Sequence, residues 1–139
     1  MGTKADGIIE AARACKGTPF RHQGRLPGVG LDCAGLVIHA ARAMGITITD
    51  FNGYPDTPFN GMLRKMIEAQ PNVREIPKTD ILPGDVLLMR VKEAPQHLAI
   101  VSSGNCIIHA YQTIGRVAEH GIDELMRLKI VAAYRFIDE

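Results

Sequence analysis

The sequence predicts an α+β fold, with helices at the amino-terminal end followed by a small antiparallel sheet. Two observations carry this prediction. Apolar residues recur at helical spacing as far as about residue 70, and after "NVREIPKTDILPGD" the period shifts to strand-length apolar runs. Those later runs are separated by short turns rather than by helices, which favours a meander over parallel βαβ units. A length of 139 residues argues for one domain, 1–139. A domain of that size buries ~68% of its unfolded surface and needs no covalent staples.

The elements follow in order. "ADGIIEAARACKG" reads as a helix with Ile8, Ala11, Ala12 and Cys15 on one face and Gly17 as its C-cap. "GTPFRHQGRLPGVG" is a glycine- and proline-dense loop. A second helix spans 33–44, capped by Asp32 and ended by Gly45, with Cys33, Leu36, Val37, Ala40 and Met44 in one stripe. His39 and Arg42 fall on its solvated side. "TPFNGMLRKMIEAQ" reads as a third helix capped by Thr57, with Phe59, Met62, Leu63 and Met66 facing inward. "DVLLMRV", "HLAIV" and "CIIHAY" are strands, and "RVAEH" reads as a further one. "DELMRL" is a short helix and "KIVAAYRFI" the last strand.

Bulk composition excludes several function classes. The net charge is +1 from 16 basic and 15 acidic residues, which offers no stripe for nucleic acid. No apolar run approaches the ~20 residues that span a bilayer, so no membrane partner is expected. Three cysteines at spacings that match no zinc signature argue against a disulfide framework. No secretory signal is recognisable near Met1, so synthesis in the cytoplasm is the expectation.

Chemistry concentrates at "LDCAGLVIHAARAMG". A thiol attacks as its thiolate, and a helix start favours negative charge, so Cys33 is placed where its pKa should fall. His97 and His109 lie in the predicted hairpin, twelve residues apart. Side chains alternate faces along a strand, so both reach one face only if the hairpin has odd parity. A three-residue loop "SGN", with Gly104 in the left-handed conformation, meets that condition. One histidine then serves as base to Cys33 and the second orients the first. Taken singly, a cysteine in an apolar stripe is more often core than catalyst, and a strand histidine is more often a satisfied polar group. Cys15 goes to the core and Cys106 to an inert buried thiol. His120 reads as a turn residue before Gly121.

These residues resemble the NlpC-type family of cysteine peptidases, which cut bacterial cell-wall peptides. The matching segments are "GTPF", "DCAGL", "LPGD" and "HLAIV…IIHA", in family order and covering nearly the whole chain. The stretch "GTPFRHQGRLPGVGLDCAGL" looks most like the branch carried by tailed phages and gene-transfer particles. The resemblance implies a papain-like fold with the nucleophile helix packed on the sheet. It implies Cys33 as nucleophile, His97 as general base and His109 as orienting residue. It also implies a substrate in the peptide stems of peptidoglycan, phage-tail or tail-tip proteins as partners, action at the cell wall as part of a particle, and no cofactor. Phe20, His22, Asp32 and Ala34 form the expected substrate-binding group. Phe20 stands where the family has tyrosine and Ala34 where it has serine, and one lost oxyanion donor costs ~10²–10³ in turnover. Two alternatives stay open: a tail-assembly protein that keeps the fold with little catalysis, and a zinc site built from Cys33, His97 and His109.

Overall fold

The computed structural model of the protein describes residues 3–50, 54, 61–91 and 94–137. Helix α1, Lys4–Ala14, starts in a capping box: the Thr3 hydroxyl accepts from the Asp6 N–H, and the Asp6 carboxylate accepts from the Thr3 N–H. Its C-cap is Cys15, and Gly17, with φ +89°, takes the left-handed turn two residues later. The loop read at 17–30 contains a small hairpin, β1 (Arg25–Leu26) with β2 (Gly30–Leu31). Helix α2 follows at Cys33–Ala43, with Asp32 as N-cap.

Helix α2 departs from the single stripe expected. Ala34, Gly35, Leu36, Val37, Ile38, Ala40 and Ala41 are all buried. A helix buried over so wide a face is a central one, and α2 packs on α1 and on the sheet. His39 is half-buried rather than fully solvated. Helix α3 is Met62–Glu68, starting at Gly61. Leu63 and Ile67 face inward, whereas Met62 is exposed and Met66 half-buried, so the inward face is rotated from the expected one. Thr57 and Phe59 lie outside the described residues.

Six antiparallel strands form the main sheet: β3 (Val73–Ile76), β4 (Val86–Val91), β5 (Ala94–Ser103), β6 (Cys106–Tyr111), β7 (Arg116–Gly121) and β8 (Ile130–Phe136). Their spatial order is β3-β8-β4-β5-β6-β7. The sequence reading missed β3, whose "VREI" is too short and polar to stand out; edge pairing with β8 makes it a strand. A one-turn helix α4, Glu124–Arg127, capped by Asp123, leads into β8.

Two apolar layers sandwich this sheet. Ile8, Leu36, Val37, Val86, Leu88, Leu98, Ile100, Ile108 and Ala110 pack together on the helix side. Leu87, Met89, Ala99, Val101 and Ile107 form the second cluster, covered by Ile81, Ile122 and Met126. Alternation along β5 and β6 is therefore clean. The outer edge of β7 is paired with the segment Gly17–Phe20. Gly17 N–H donates to Val117 O at 3.0 Å, Val117 N–H to Thr18 O at 2.9 Å, and Phe20 N–H to Gly115 O at 2.8 Å. Leu31 N–H donates to Pro19 O at 3.0 Å from the other direction.

Candidate active site

The β5–β6 hairpin reaches the required parity by a different route from the one expected. Ser103 pairs with Cys106 around a two-residue turn, Gly104–Asn105, and Gly104 does not have a positive φ. A bulge between Val101 and Ser103 supplies the extra residue, after which Val101 faces Ile107 and Ile100 faces Ile108. The bulge puts His97 and His109 on one face. Their rings hydrogen bond directly, His97 Nε2 to His109 Nδ1 at 2.7 Å. Both are buried, at 6% and 2% exposure. Tyr111 stacks on His109 and tilts against His97, with ring centroids at 5.4 and 5.0 Å.

The ladder between β5 and β6 opens beyond the Ile100–Ile108 pair. Val101 N–H donates to Asp85 O, on the β4 side. Strand N–H groups alternate sides, so those of Ile100 and Leu98 point towards β6. The β5–β6 register runs from Ser103↔Cys106 only to Ile100↔Ile108, while β6 continues with β7 to Tyr111. The N–H of Leu98, the residue that follows His97, favours the Cys33 thiolate. By strand alternation, the two histidines lie on the face away from α2, with Ala99, Val101 and Ile107. Cys33 heads the helix that packs on the opposite face.

The electrostatics also differ from expectation. Burial pushes the Cys33 thiol up to about 12, and the Asp32 carboxylate adds to the rise. The Leu98 and Ala34 N–H groups and Arg25 pull in the opposite direction without prevailing. The residue is half-buried, but its sulfur sits among packed atoms, and desolvation outweighs the helix start. Burial likewise holds His97 down to about 3 and His109 down to about 4, helped by His109 beside the first and His120 beside the second. At rest the Cys33 thiol and both imidazoles are therefore neutral.

Asp32, 3% exposed, is more than an N-cap. Among the described residues, Oδ1 accepts from Gly35 N–H at 2.8 Å and Arg25 Nη1 at 2.9 Å. Oδ2 accepts from Gln23 N–H at 2.8 Å and from the Tyr54 hydroxyl. Arg25 also reaches Asp50 at 2.9 Å and the Tyr54 hydroxyl at 2.9 Å. The helix start is clamped sterically too. A Cβ on Gly35 would lie 2.1 Å from Gly24 O, a contact only glycine permits.

The remaining expected binding residues are dispersed. His22 is exposed and its Nε2–H donates to Tyr54 O at 2.8 Å. Phe20 is half-buried against the helix-side core. Ala34, 1% exposed, packs wholly inside that core. Among the described residues no group of three or more His, Cys, Asp and Glu side chains has metal-binding geometry.

Sequence reasoning missed three participants. His120 is a strand residue on β7, opposite Ile107, and not a turn residue. Its Nε2 lies 2.7 Å from His109 Nε2, and its Nδ1 lies 2.9 Å from Gly121 O. The strand expected at "RVAEH" already includes it, and pairing that strand with β6 brings its ring to His109. Arg25 and Tyr54 carry no such signal, because only tertiary contacts bring them to Asp32. Cys106 is half-buried at the start of β6 rather than sealed in the core. A cavity of about 240 Å³ opens over the histidines, bounded by Met89, Arg90, Met126 and Lys129.

The chain has clear relatives of this architecture. The family model for the NlpC/P60 family matches residues 17–134. An NlpC/P60 family protein from Bacillus cereus superposes with a TM-score of 0.74 at 20% identity, over 96% of this chain and 40% of that one. The peptidoglycan hydrolase RipB from Mycobacterium tuberculosis gives 0.71 at 20% identity, over 98% and 66%. The P60 domain of the Mycobacterium avium subspecies paratuberculosis antigen MAP1204 gives 0.69 at 19% identity, over 98% and 96%. The chain thus spans less than two thirds of the first two and nearly all of the third. No curated protein sequence matches it. With six antiparallel strands, a cysteine-headed helix against them, and a family match over most of its length, the chain belongs to the NlpC/P60 family.

Proposed function

We propose that the protein is a cysteine peptidase that hydrolyses the peptide stems of peptidoglycan. Cys33 is the nucleophile, His97 the general base and His109 the residue that orients it. The observation that carries this reading is the 2.7 Å bond from His97 Nε2 to His109 Nδ1, which leaves His97 Nδ1 for another partner. The N–H of Leu98, next along the chain, favours the Cys33 thiolate. In the reaction, sulfur attacks an amide carbonyl while its proton passes to His97 Nδ1. The tetrahedral intermediate collapses as His97 returns that proton to the leaving amine. Water, deprotonated by His97, then hydrolyses the thioester and releases the acid. Because thiol and imidazole are both neutral at rest, charge separation accompanies substrate attack rather than preceding it.

By the resemblance of residues 17–36, the protein works as part of a phage or phage-like particle, partnered by tail-tip proteins. The particle is assembled in the cytoplasm and meets the wall from outside. Digestion of defined muropeptides, with mass-spectrometric identification of the severed bond, tests the activity. Cys33→Ala is expected to abolish turnover with the fold intact, and unchanged turnover refutes the assignment. A second reading, a tail-assembly protein that keeps the fold, is favoured by Phe20, by Ala34 and by a thiol held at about 12. Under that reading the wild-type protein leaves muropeptides uncut and Phe20→Tyr raises turnover strongly.

A further inference from the structure

We propose that His120 is a positioning residue whose contact with one backbone carbonyl fixes the proton positions of all three linked imidazoles. The inference rests on the peptidase reading for its consequence, but not for its chemistry. Gly121 O can only accept a hydrogen bond, so the His120 Nδ1 that lies 2.9 Å away carries a proton. A neutral His120 then has a bare Nε2, which must accept. His109 Nε2, 2.7 Å away, is therefore the donor and carries the proton of its ring. That leaves His109 Nδ1 bare, and it accepts from His97 Nε2–H at 2.7 Å. The last nitrogen in the series, His97 Nδ1, is left with a free lone pair, as a general base requires.

The series has a single alternative for neutral rings. If the group at position 120 donates to His109 Nε2, every proton moves to the other nitrogen of its ring. His97 Nδ1 is then protonated and cannot take a proton from sulfur. His120 is half-buried on the edge strand, whereas the other two imidazoles are buried. The chain of bonds therefore carries information from the rim of the cavity to its reactive end. Residue 120 needs one acceptor towards His109 and one donor towards Gly121. Glutamine offers both, lysine offers donors only, and leucine offers neither.

The test combines ¹⁵N-edited NMR of the histidine rings with kcat/KM on a stem peptide. In the wild-type protein, His97 is expected to show a bare Nδ1 and a protonated Nε2. His120→Lys is expected to reverse that pattern and lower kcat/KM by about 10²–10⁴-fold, as a wrong histidine tautomer does. His120→Gln is expected to recover the wild-type ring pattern and most of the lost rate. A protonated His97 Nδ1 in the wild-type protein overturns the proposal, as does a His97 tautomer that ignores the Lys substitution. The NMR arm needs no turnover. A correct ring pattern in a protein that cuts nothing therefore refutes the peptidase reading and leaves this inference standing.

Discussion

Acidification should destabilise this protein steeply, well above the pH at which carboxylates titrate. His97 and His109 are held neutral by burial, at about 3 and about 4 against an ordinary 6.5. The unfolded chain takes up protons near 6.5, while the folded one does not. The stability these groups confer is therefore complete above pH 6.5 and is lost as pH falls towards 4 and then 3. At pH 5 each unfolded histidine is almost fully protonated, so each contributes a loss of about 1.36 × 1.5, or about 2 kcal/mol. That figure depends only on both folded values lying below 5. The two together cost about 4 kcal/mol, a large share of the ~5–15 kcal/mol by which a domain is stable. The depressed carboxylates Glu68 and Glu119 act only below 4.5, outside this window. Urea unfolding at pH 8.0, 6.5 and 5.0 measures the effect, and the midpoint is expected to fall by about 2 M between the extremes for an m-value of about 2 kcal/mol/M. The double variant His97→Gln, His109→Gln should lose that dependence. A midpoint that is flat in the wild-type protein, or equally steep in the double variant, refutes the claim that both rings are buried and neutral.

Other consequences are equally direct. At pH 7.5 iodoacetamide should modify Cys33 more slowly than the half-buried Cys106, because burial and Asp32 keep its thiol protonated; faster labelling of Cys33, mapped by peptide mass spectrometry, contradicts the neutral resting state. Tyr54→Phe removes a donor from the buried Asp32 and should cost about 1–3 kcal/mol in chemical denaturation; a value near zero means the hydroxyl contact is dispensable. Gly35→Ala should lower the melting temperature and turnover together, because its Cβ would meet Gly24 O at 2.1 Å; a variant that melts like the wild type shows that the loop yields freely.

The legible parts of this molecule were those governed by local rules. The cap at Asp32, the apolar run of β4 and the strand alternation at His97 and His109 follow from neighbouring residues alone. The parity of the hairpin was foreseeable, but its cause was not, because a bulge at Ser102 and a loop with one more residue give the same outcome. Strand β3 was illegible since "VREI" is defined by its partner β8. The sign of the Cys33 shift was missed for a related reason. Helix-start stabilisation is visible in sequence, whereas the desolvation that overrides it depends on what packs around the sulfur. Arg25 and Tyr54 meet Asp32 only through the folded chain.

The segment Gly17–Phe20 has two attachments, to β7 on one flank and to Leu31 on the other. One flank leads within a few residues to Cys33, and the other carries the strand that bears His120. Sulfur and outermost imidazole therefore hang from the same four-residue brace. Loosening that brace would disturb both ends of the proposed relay at once, and would bare a strand's unclaimed amides to neighbouring molecules.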